Sequence, residues 1–447
     1  MLNNIAPARN TRLPLIIAIG ILFGIISVLS PGTIFDLILV CVIAFIIYRF
    51  PEPRENLFLT KLFISGLALR VVLLIVVQII LIYKGRWFES YGDKAVFLFG
   101  DDGWYTARSW WIAQHVSGVK LDLIQFNNAF GAYGYSFYLY IAAFFYYLFG
   151  FSPVSSIFLN CIVSVLTGIV YYFITKEISS ERSARVAAVV TVFYPSLVIW
   201  SIANLKDTVF IFFVGIILLA FARFTIHGKV VDMLLFLAAL FALFLIRPHL
   251  NLFIFAIIAW ASMSYLLIKI RMKVAYLVAA VLIVSLSWPL LYPKFAAERT
   301  VLINYQRGAA GKGICYRIYD DWVYHPDANL GSLTNFELLK GTSKGLLHFF
   351  MEPFPWKTGS RSSLLTIPYM TAWYLMLLFA VVGVFIPSKY NNKITYALAA
   401  FFVCMGSIFA LTGGNIGTIF RIRDMFTPLV IVFASIGLRS IFSNRNP

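Results

Sequence analysis

The chain has 447 residues, of which 61% are hydrophobic and only 12% are charged, and its formal net charge is +17. An ordinary soluble domain is about a quarter charged, so this composition excludes a soluble enzyme or binding module. The basic excess does not indicate a nucleic-acid partner, because basic residues accumulate in the cytoplasmic loops of membrane proteins. Long apolar runs recur from end to end, and they predict an all-α polytopic membrane protein.

Twelve apolar runs have the length of a transmembrane helix, which needs about 20 residues. They are 13–30, 33–49, 58–83, 153–175, 184–202, 206–222, 230–247, 249–268, 273–291, 364–386, 394–411 and 424–441. With the N-terminus in the cytoplasm, every predicted cytoplasmic loop carries Lys or Arg, as the positive-inside rule requires. The pattern predicts a multi-pass protein of the plasma (inner) membrane with both termini in the cytoplasm.

One further apolar stretch, SFYLYIAAFFYYLF (136–149), is shorter than a normal span. Counting it as a span would move every later basic loop to the outside. We therefore expect it to lie flat in the outer interface, where tyrosines are common, or to form a re-entrant segment.

The predicted spans divide the chain into five segments, with two large regions on the outer face. These are transmembrane helices in 1–83, a first outer loop with interfacial helices in 84–152, transmembrane helices in 153–291, a second outer loop in 292–363 and transmembrane helices in 364–447. Most acidic residues fall on the outer face, so we expect any chemistry there, in the periplasm or outside the cell.

The first outer loop contains GDDGWY, in which Asp101 and Asp102 precede the aromatic residues Trp104 and Tyr105. Residues 104–117 have the aromatic stripe of a helix lying in the interface. A carboxylate at that depth could act as a general base towards a lipid-linked substrate. A solvated loop acid is the alternative, and the residue types alone do not separate the two.

A second candidate acid is Asp207, at the outer turn in PSLVIWSIANLKDTVF, with Lys206 beside it. Lys206 is a candidate to pair with this acid or with a phosphate. Because Asn and Asp are good helix N-caps, Asn204 and Asp207 could instead cap the next helix.

Basic side chains recur at two other outer turns. Arg247 and His249 lie in LFLIRPHLNLF, and Arg421 and Arg423 lie in GNIGTIFRIRDMFTP. Arginine binds phosphate with two parallel hydrogen bonds, so these residues are candidates to bind a donor phosphate. Snorkelling to the headgroups, or a salt bridge with Asp424, is the alternative.

The second outer loop supplies candidate sugar or acceptor ligands. Together with Trp104 and Tyr105, they are Asp320, Asp321, His325 and Glu352. The sequence contains no HxxxH or DxD spacing, so no metal site is predicted, and no cofactor is expected. The Asp320–Asp321 pair could still bind a divalent cation. The stretch FELLKGTSKGLLHFFMEPFPW has helical periodicity up to a proline-rich stop.

The order of these elements resembles the GT-C superfamily of integral-membrane glycosyltransferases. DDGWY in the first outer loop is followed by YGYSFYLYIAAFFYYLFG, SSIFLNCIVSVLTG, KEISSERSARVAA and the stretch ending in NLKDTVF. The order is most similar to the branch of protein O-mannosyltransferases and the aminoarabinose transferase of lipid A. The resemblance implies an inverting transfer from a polyprenyl-phosphate sugar to a glycan, glycolipid or protein, with Asp101 as base and Asp207 as the second acid.

Two rival functions remain at this stage. An O-antigen ligase or polymerase would use a polyprenyl-diphosphate glycan, would need Arg and His in 292–363, and would not need Asp101. A transporter or flippase of lipid-linked sugars would favour inverted repeats with broken spans, and no such repeat is visible.

Overall fold

In a computed structural model, the described residues are 31–50, 52–83, 87–90, 93–96, 98–131, 135–247, 251–269, 317–325, 327–352, 366–386, 392–410 and 416–443, with 20, 24, 354 and most of 300–310 in addition. Helices account for nearly all of them, because an α-helix satisfies its own backbone polar groups in lipid. They are α1 (Thr33–Tyr48), α2 (Pro53–Tyr83), α3 (Gly100–Val116), α4 (Leu123–Phe130), α5 (Tyr138–Phe149), α6 (Pro153–Ile178), α7 (Glu181–Phe193), α8 (Pro195–Ser201), α9 (Asp207–His227), α10 (Val230–Ile246), α11 (Asn251–Lys269), α12 (Asn335–Met351), α13 (Thr366–Phe385), α14 (Asn392–Ala410), α15 (Ile416–Asp424) and α16 (Thr427–Ser443).

A short hairpin interrupts this helical pattern in the predicted first outer loop. Strands β1 (Trp87–Ser90) and β2 (Asp93–Val96) pair antiparallel, with Trp87 opposite Val96. Four residues a strand cannot form a core of their own, so the hairpin is an appendage to a helical fold.

Five helices in the described part of the chain are long and apolar enough to cross a membrane. They are Arg54–Tyr83, Pro153–Ile178, Asp207–His227, Pro368–Phe385 and Asn392–Phe409, and helices α7 and α8, which meet at a bend of 51°, add a sixth if they form one broken span. The other apolar helices are shorter. The predicted class, an all-α polytopic membrane protein, is confirmed, and the number of twelve spans stays a prediction.

Ten of the twelve predicted spans coincide with helices of the structure. The other two, 13–30 and 273–291, lie outside the continuously described residues. The competing stretch 136–149 is also a helix, α5, of 12 residues.

Contacts between residues group the chain into two compact units, and the five predicted segments stay a prediction. The first unit comprises Met1–Val163 and Ile199–Lys206, and the second comprises Ser164–Val198 and Asp207–Pro447. Residues 199–206 belong to the first unit, although the residues on either side of them belong to the second. They are therefore in the same unit as α3, the helix that carries the acidic motif.

In the first unit, α3 packs against α5. The small residues Ala142 and Ala143 of α5 are 0% and 4% exposed, and small side chains let helices approach closely. Arg108 of α3 fixes the end of the neighbouring helix α4 by donating to the carbonyls of Ala129 at 3.4 Å and Gly131 at 3.2 Å.

In the second unit, α13 packs against α16. The helices meet at Gly383 and Gly437, where a Cβ atom would overlap the backbone of the opposite helix. Trp373 of α13 is fully buried, and its indole N–H donates to the carbonyl of Phe350 at 2.8 Å. Backbone contact through glycine therefore holds this helix pair.

The described part of the second outer loop forms a small core followed by the predicted helix. The buried core residues are Ile303, Ile318, Tyr319, Val323, Leu330 and Leu333. Helix α12 begins with a capping box in which Thr334 and Glu337 satisfy each other's backbone N–H groups. The helix predicted for FELLKGTSKGLLHFFMEPFPW is thus confirmed.

Candidate active site

The acidic motif forms the first turn of α3. The helix begins at Gly100, so Asp101 and Asp102 are helical and not part of a loop before residue 104. Acidic side chains in a first turn are favoured by the unpaired N–H groups there and by the helix dipole. The environments of the two acids differ, because Asp101 is exposed and Asp102 is only 1% exposed.

Both carboxylate oxygens of Asp102 accept backbone hydrogen bonds. Oδ1 accepts from the N–H of Asn204 at 2.8 Å, and Oδ2 accepts from the N–H of Leu98 at 3.3 Å. Burial raises the pKa of this carboxyl to about 7, although the two N–H groups act in the opposite direction. A carboxylate held in this way is suited to fixing backbone.

The side chain of Asn204 lies at the centre of a buried polar network. Its Oδ1 accepts from the Tyr138 hydroxyl at 2.6 Å, and its Nδ2 donates to Thr106 Oγ1 at 2.7 Å and to the Tyr146 hydroxyl at 3.3 Å. The expectation that Asn204 caps the next helix is wrong, because that helix starts at Asp207 and the amide points into this network. Tertiary contacts outweigh the local capping preference here.

Asn160 of α6 fixes the backbone on both sides of Asn204. Its Nδ2 donates to the carbonyls of Ala203 at 2.9 Å and Leu205 at 3.0 Å, and to the Tyr138 hydroxyl at 2.9 Å. Sequence reasoning missed this residue. The available signal was an amide side chain in the middle of the apolar run FLNCIV, where a polar group needs a partner.

Lys206 lies against the ring of Tyr105. Its Nζ is 5.4 Å from the ring centroid, within the range of a cation–π interaction. Tyr105 is 9% exposed and also contacts Tyr138 edge-on at 6.1 Å between centroids. Trp104 is 37% exposed and contacts Trp111 edge-on, so it is the more accessible of the two aromatic residues predicted to bind a sugar.

Asp207 holds two arginines in the second unit. Its Oδ1 accepts from Arg247, and its Oδ2 accepts from Nε of Arg421 at 2.6 Å. The acid is 1% exposed, whereas the side chains of Arg247 and Arg421 are 16% and 19% exposed. Two guanidinium groups on one carboxylate leave a net positive charge, which favours an anion at the accessible edge of the cluster.

Arg423 was predicted to bind the same phosphate, but the structure places it in the core. It is fully buried, donates to the backbone carbonyl of Glu352 at 2.7 Å, and lies 4.7 Å from the centroid of Trp373. On a helix, residues two apart point in different directions, so Arg421 and Arg423 cannot share one target easily.

Glu352, a predicted acceptor ligand, is 4% exposed and already has protein partners. Its Oε1 lies 3.0 Å from Nδ1 of His348, and its Oε2 accepts from the N–H of Phe354 at 3.1 Å. The contacts suit a structural role at the end of α12.

The other predicted ligands of the second outer loop are exposed. Asp320 pairs with Lys340 at 2.7 Å, and Asp321 pairs with Arg317 at 2.8 Å. His325 follows the 3-10 turn Asp321–Tyr324, and its carbonyl accepts from Arg307. His249 lies outside the described residues. Within the residues that the structure describes, no cluster of three or more His, Cys, Asp or Glu side chains could hold a metal ion.

Part of the chain is similar to a known protein family. The model of the dolichyl-phosphate-mannose-protein mannosyltransferase family matches residues 136–292. This match confirms the GT-C resemblance. The match indicates a glycosyltransferase. The matched residues include Asn204, Lys206, Asp207 and Arg247, whereas the acidic motif and Arg421 lie outside the matched range. No curated protein matches the chain.

Proposed function

We propose that this protein is an inverting glycosyltransferase that moves a sugar from a polyprenyl-phosphate donor to a hydroxyl of a glycan, glycolipid or protein acceptor. The observation that carries the proposal is the cluster of Arg247 and Arg421 on the buried carboxylate of Asp207. Its net positive charge suits the phosphate of such a donor, in a chain whose family match indicates a glycosyltransferase.

In the proposed reaction, Asp101 is the general base. It takes the proton of the acceptor hydroxyl while that oxygen attacks the anomeric carbon of the sugar from the side opposite the phosphate. The bond between the anomeric carbon and the phosphate oxygen breaks, and its electron pair leaves with the polyprenyl phosphate. The exposure of Asp101 supports this role, because a base must reach its substrate.

The leaving phosphate needs charge stabilisation and no proton. Arg247, Arg421 and Lys206 are the proposed donors of this stabilisation. Asp207 then acts by orienting the two guanidinium groups, since both of its oxygens accept from them. No cofactor is required by this chemistry, and the Asp320–Asp321 pair stays the proposed place for a divalent cation.

We also propose that the reaction takes place on the outer face of the plasma (inner) membrane. The basic residues of the predicted cytoplasmic loops support this orientation. Cysteine labelling of Asp122→Cys in intact cells, measured against the unsubstituted protein with its native cysteines, tests the sidedness, because this exposed residue should react with an impermeant reagent.

The test of the function is transfer from a synthetic polyprenyl-phosphate sugar by membranes that contain Asp101→Asn. We expect a loss of activity of at least about 100-fold, the usual contribution of a general base. Asp122→Asn is the matched control, because it alters an exposed acid of the same region and keeps the helix cap. Full activity of Asp101→Asn, or transfer from a polyprenyl-diphosphate donor alone, would contradict the proposal.

A further inference from the structure

The second acid of the motif contacts backbone that is distant in sequence. Asp102 and Thr106 are one turn apart in α3, so they lie on the same helix face, and both bond to Asn204. Asp101 and Tyr105 are also one turn apart, and Tyr105 contacts Lys206. Asn204 therefore contacts the face of α3 that carries Asp102 and Thr106. Lys206 contacts Tyr105, on the adjacent face that also carries Asp101.

This segment is fixed at its backbone as well as at its side chains. The N–H of Asn204 is held by Asp102, and the carbonyls of Ala203 and Leu205 are held by Asn160. The amide of Asn204 uses its oxygen and both of its N–H groups within the network. Oδ1 of Asn160 has no hydrogen-bond partner among the described residues, whereas the Asn204 amide is fully hydrogen-bonded, and these buried bonds make one conformation of the segment more favourable than its alternatives.

We propose that Asp102 and Asn204 are positioning residues for Lys206, an inference that rests on the proposed function. Together they hold the segment 203–205 against α3, so that the ammonium group of Lys206 stays on the face of the helix that also carries Asp101. The second carboxylate of the motif thus serves to place the cation for the donor phosphate and does not take a proton from the acceptor.

A positioning role predicts that substitutions of Asn204 and of Lys206 raise the donor KM through the same contact, that of Lys206 with the donor phosphate. If Asn204 acts only through Lys206, removing the network has no further effect once the cation is gone. A role in folding alone predicts independent effects, because the loss of stability does not depend on the amino group of Lys206.

The experiment is a double-mutant cycle on the donor KM, with Asn204→Ala and Lys206→Ala in the full-length protein. We expect each single variant to raise the donor KM about tenfold, as for the loss of one hydrogen bond to a charged group. In the double variant the donor KM should rise about tenfold, as in each single variant, and should not rise about 100-fold. Thr225→Val is the control, since it removes a buried hydroxyl that donates to Phe221 in its own helix, and its KM should not change.

The outcomes separate the inference from the function. Tenfold effects that multiply in the double variant would overturn the positioning role and leave the function standing. An unchanged KM in Lys206→Ala would instead contradict the donor contact itself. If Asn204→Ala does not fold, Tyr138→Phe takes its place in the cycle, because it removes one hydroxyl that bonds both Asn204 and Asn160.

Discussion

The main-chain N–H of Asn204 donates to Oδ1 of Asp102 at 2.8 Å, although the two residues are 102 positions apart in the chain. This contact separates two adjacent acids that look equivalent in the sequence. Asp102 is directed inward onto the backbone of a distant segment, and Asp101 stays at the surface. The proposed base is therefore Asp101.

The buried carboxyl of Asp102 should make stability depend on pH. Its pKa is raised by burial from an ordinary 3.8 to about 7, so between these values the folded protein holds a proton that the unfolded chain releases. The stabilisation from this proton is complete below the ordinary value and is lost as the pH rises through about 7. Since Asn cannot titrate, the melting temperature of the unsubstituted protein relative to Asp102→Asn should fall from about pH 5 to about pH 8. A difference that stays constant over this range would show that Asp102 does not titrate there.

Arg421 and Arg423 should respond differently to the same substitution. Arg421→Ala removes a partly exposed cation from the Asp207 cluster, so we expect a higher donor KM with little loss of stability. Arg423→Ala leaves the carbonyl of Glu352 without its donor and the ring of Trp373 without its cation, so we expect a lower melting temperature. Kinetics and thermal unfolding of the two variants in parallel test this, and equal effects on KM would contradict it.

Asp207→Ala should destabilise the second unit and strengthen anion binding at the two arginines. Removing the shared carboxylate leaves two guanidinium groups facing each other, at a cost on the order of 3 kcal/mol for a broken buried ion pair. Inorganic phosphate should then raise the melting temperature of the variant more than that of the unsubstituted protein, because it replaces the lost charge. Asp207→Asn, which keeps the shape of the side chain, is the companion variant. Equal stabilisation by phosphate in all three proteins would show that phosphate does not bind at these two arginines.

The glycines between α13 and α16 should tolerate no side chain. A Cβ at Gly383 would overlap the carbonyl oxygen of Phe433, so Gly383→Ala should cost about 1–3 kcal/mol of stability through overpacking. The control is Gly406→Ala in α14, where the nearest atom would be 3.5 Å away on the ring of Phe349, an ordinary contact. Thermal unfolding compares the two variants, and a similar melting temperature for both would count against the close helix contact.

Some features could be predicted from sequence because they depend on local physical chemistry. Apolar runs in a chain with 12% charge must form helices in lipid, which determined the membrane class and most helix positions. Helix α12 was predictable from its periodicity and its proline-rich stop. The family resemblance depended on the order of motifs, and the match to 136–292 confirmed it.

Other features depended on which face of each helix packs inward, and only the tertiary structure decided them. Successive residues of an α-helix point about 100° apart, so neighbouring residues of one type can have opposite environments. Asp102 can be buried because the backbone N–H groups of Asn204 and Leu98 donate to its carboxylate. Asp101, the preceding residue, is exposed. Arg423 turns into the core in the same way, while Arg421 reaches Asp207. The sequence by itself determined that acids and arginines lie at the ends of the apolar helices. The long-range packing decided which of these side chains are accessible for chemistry.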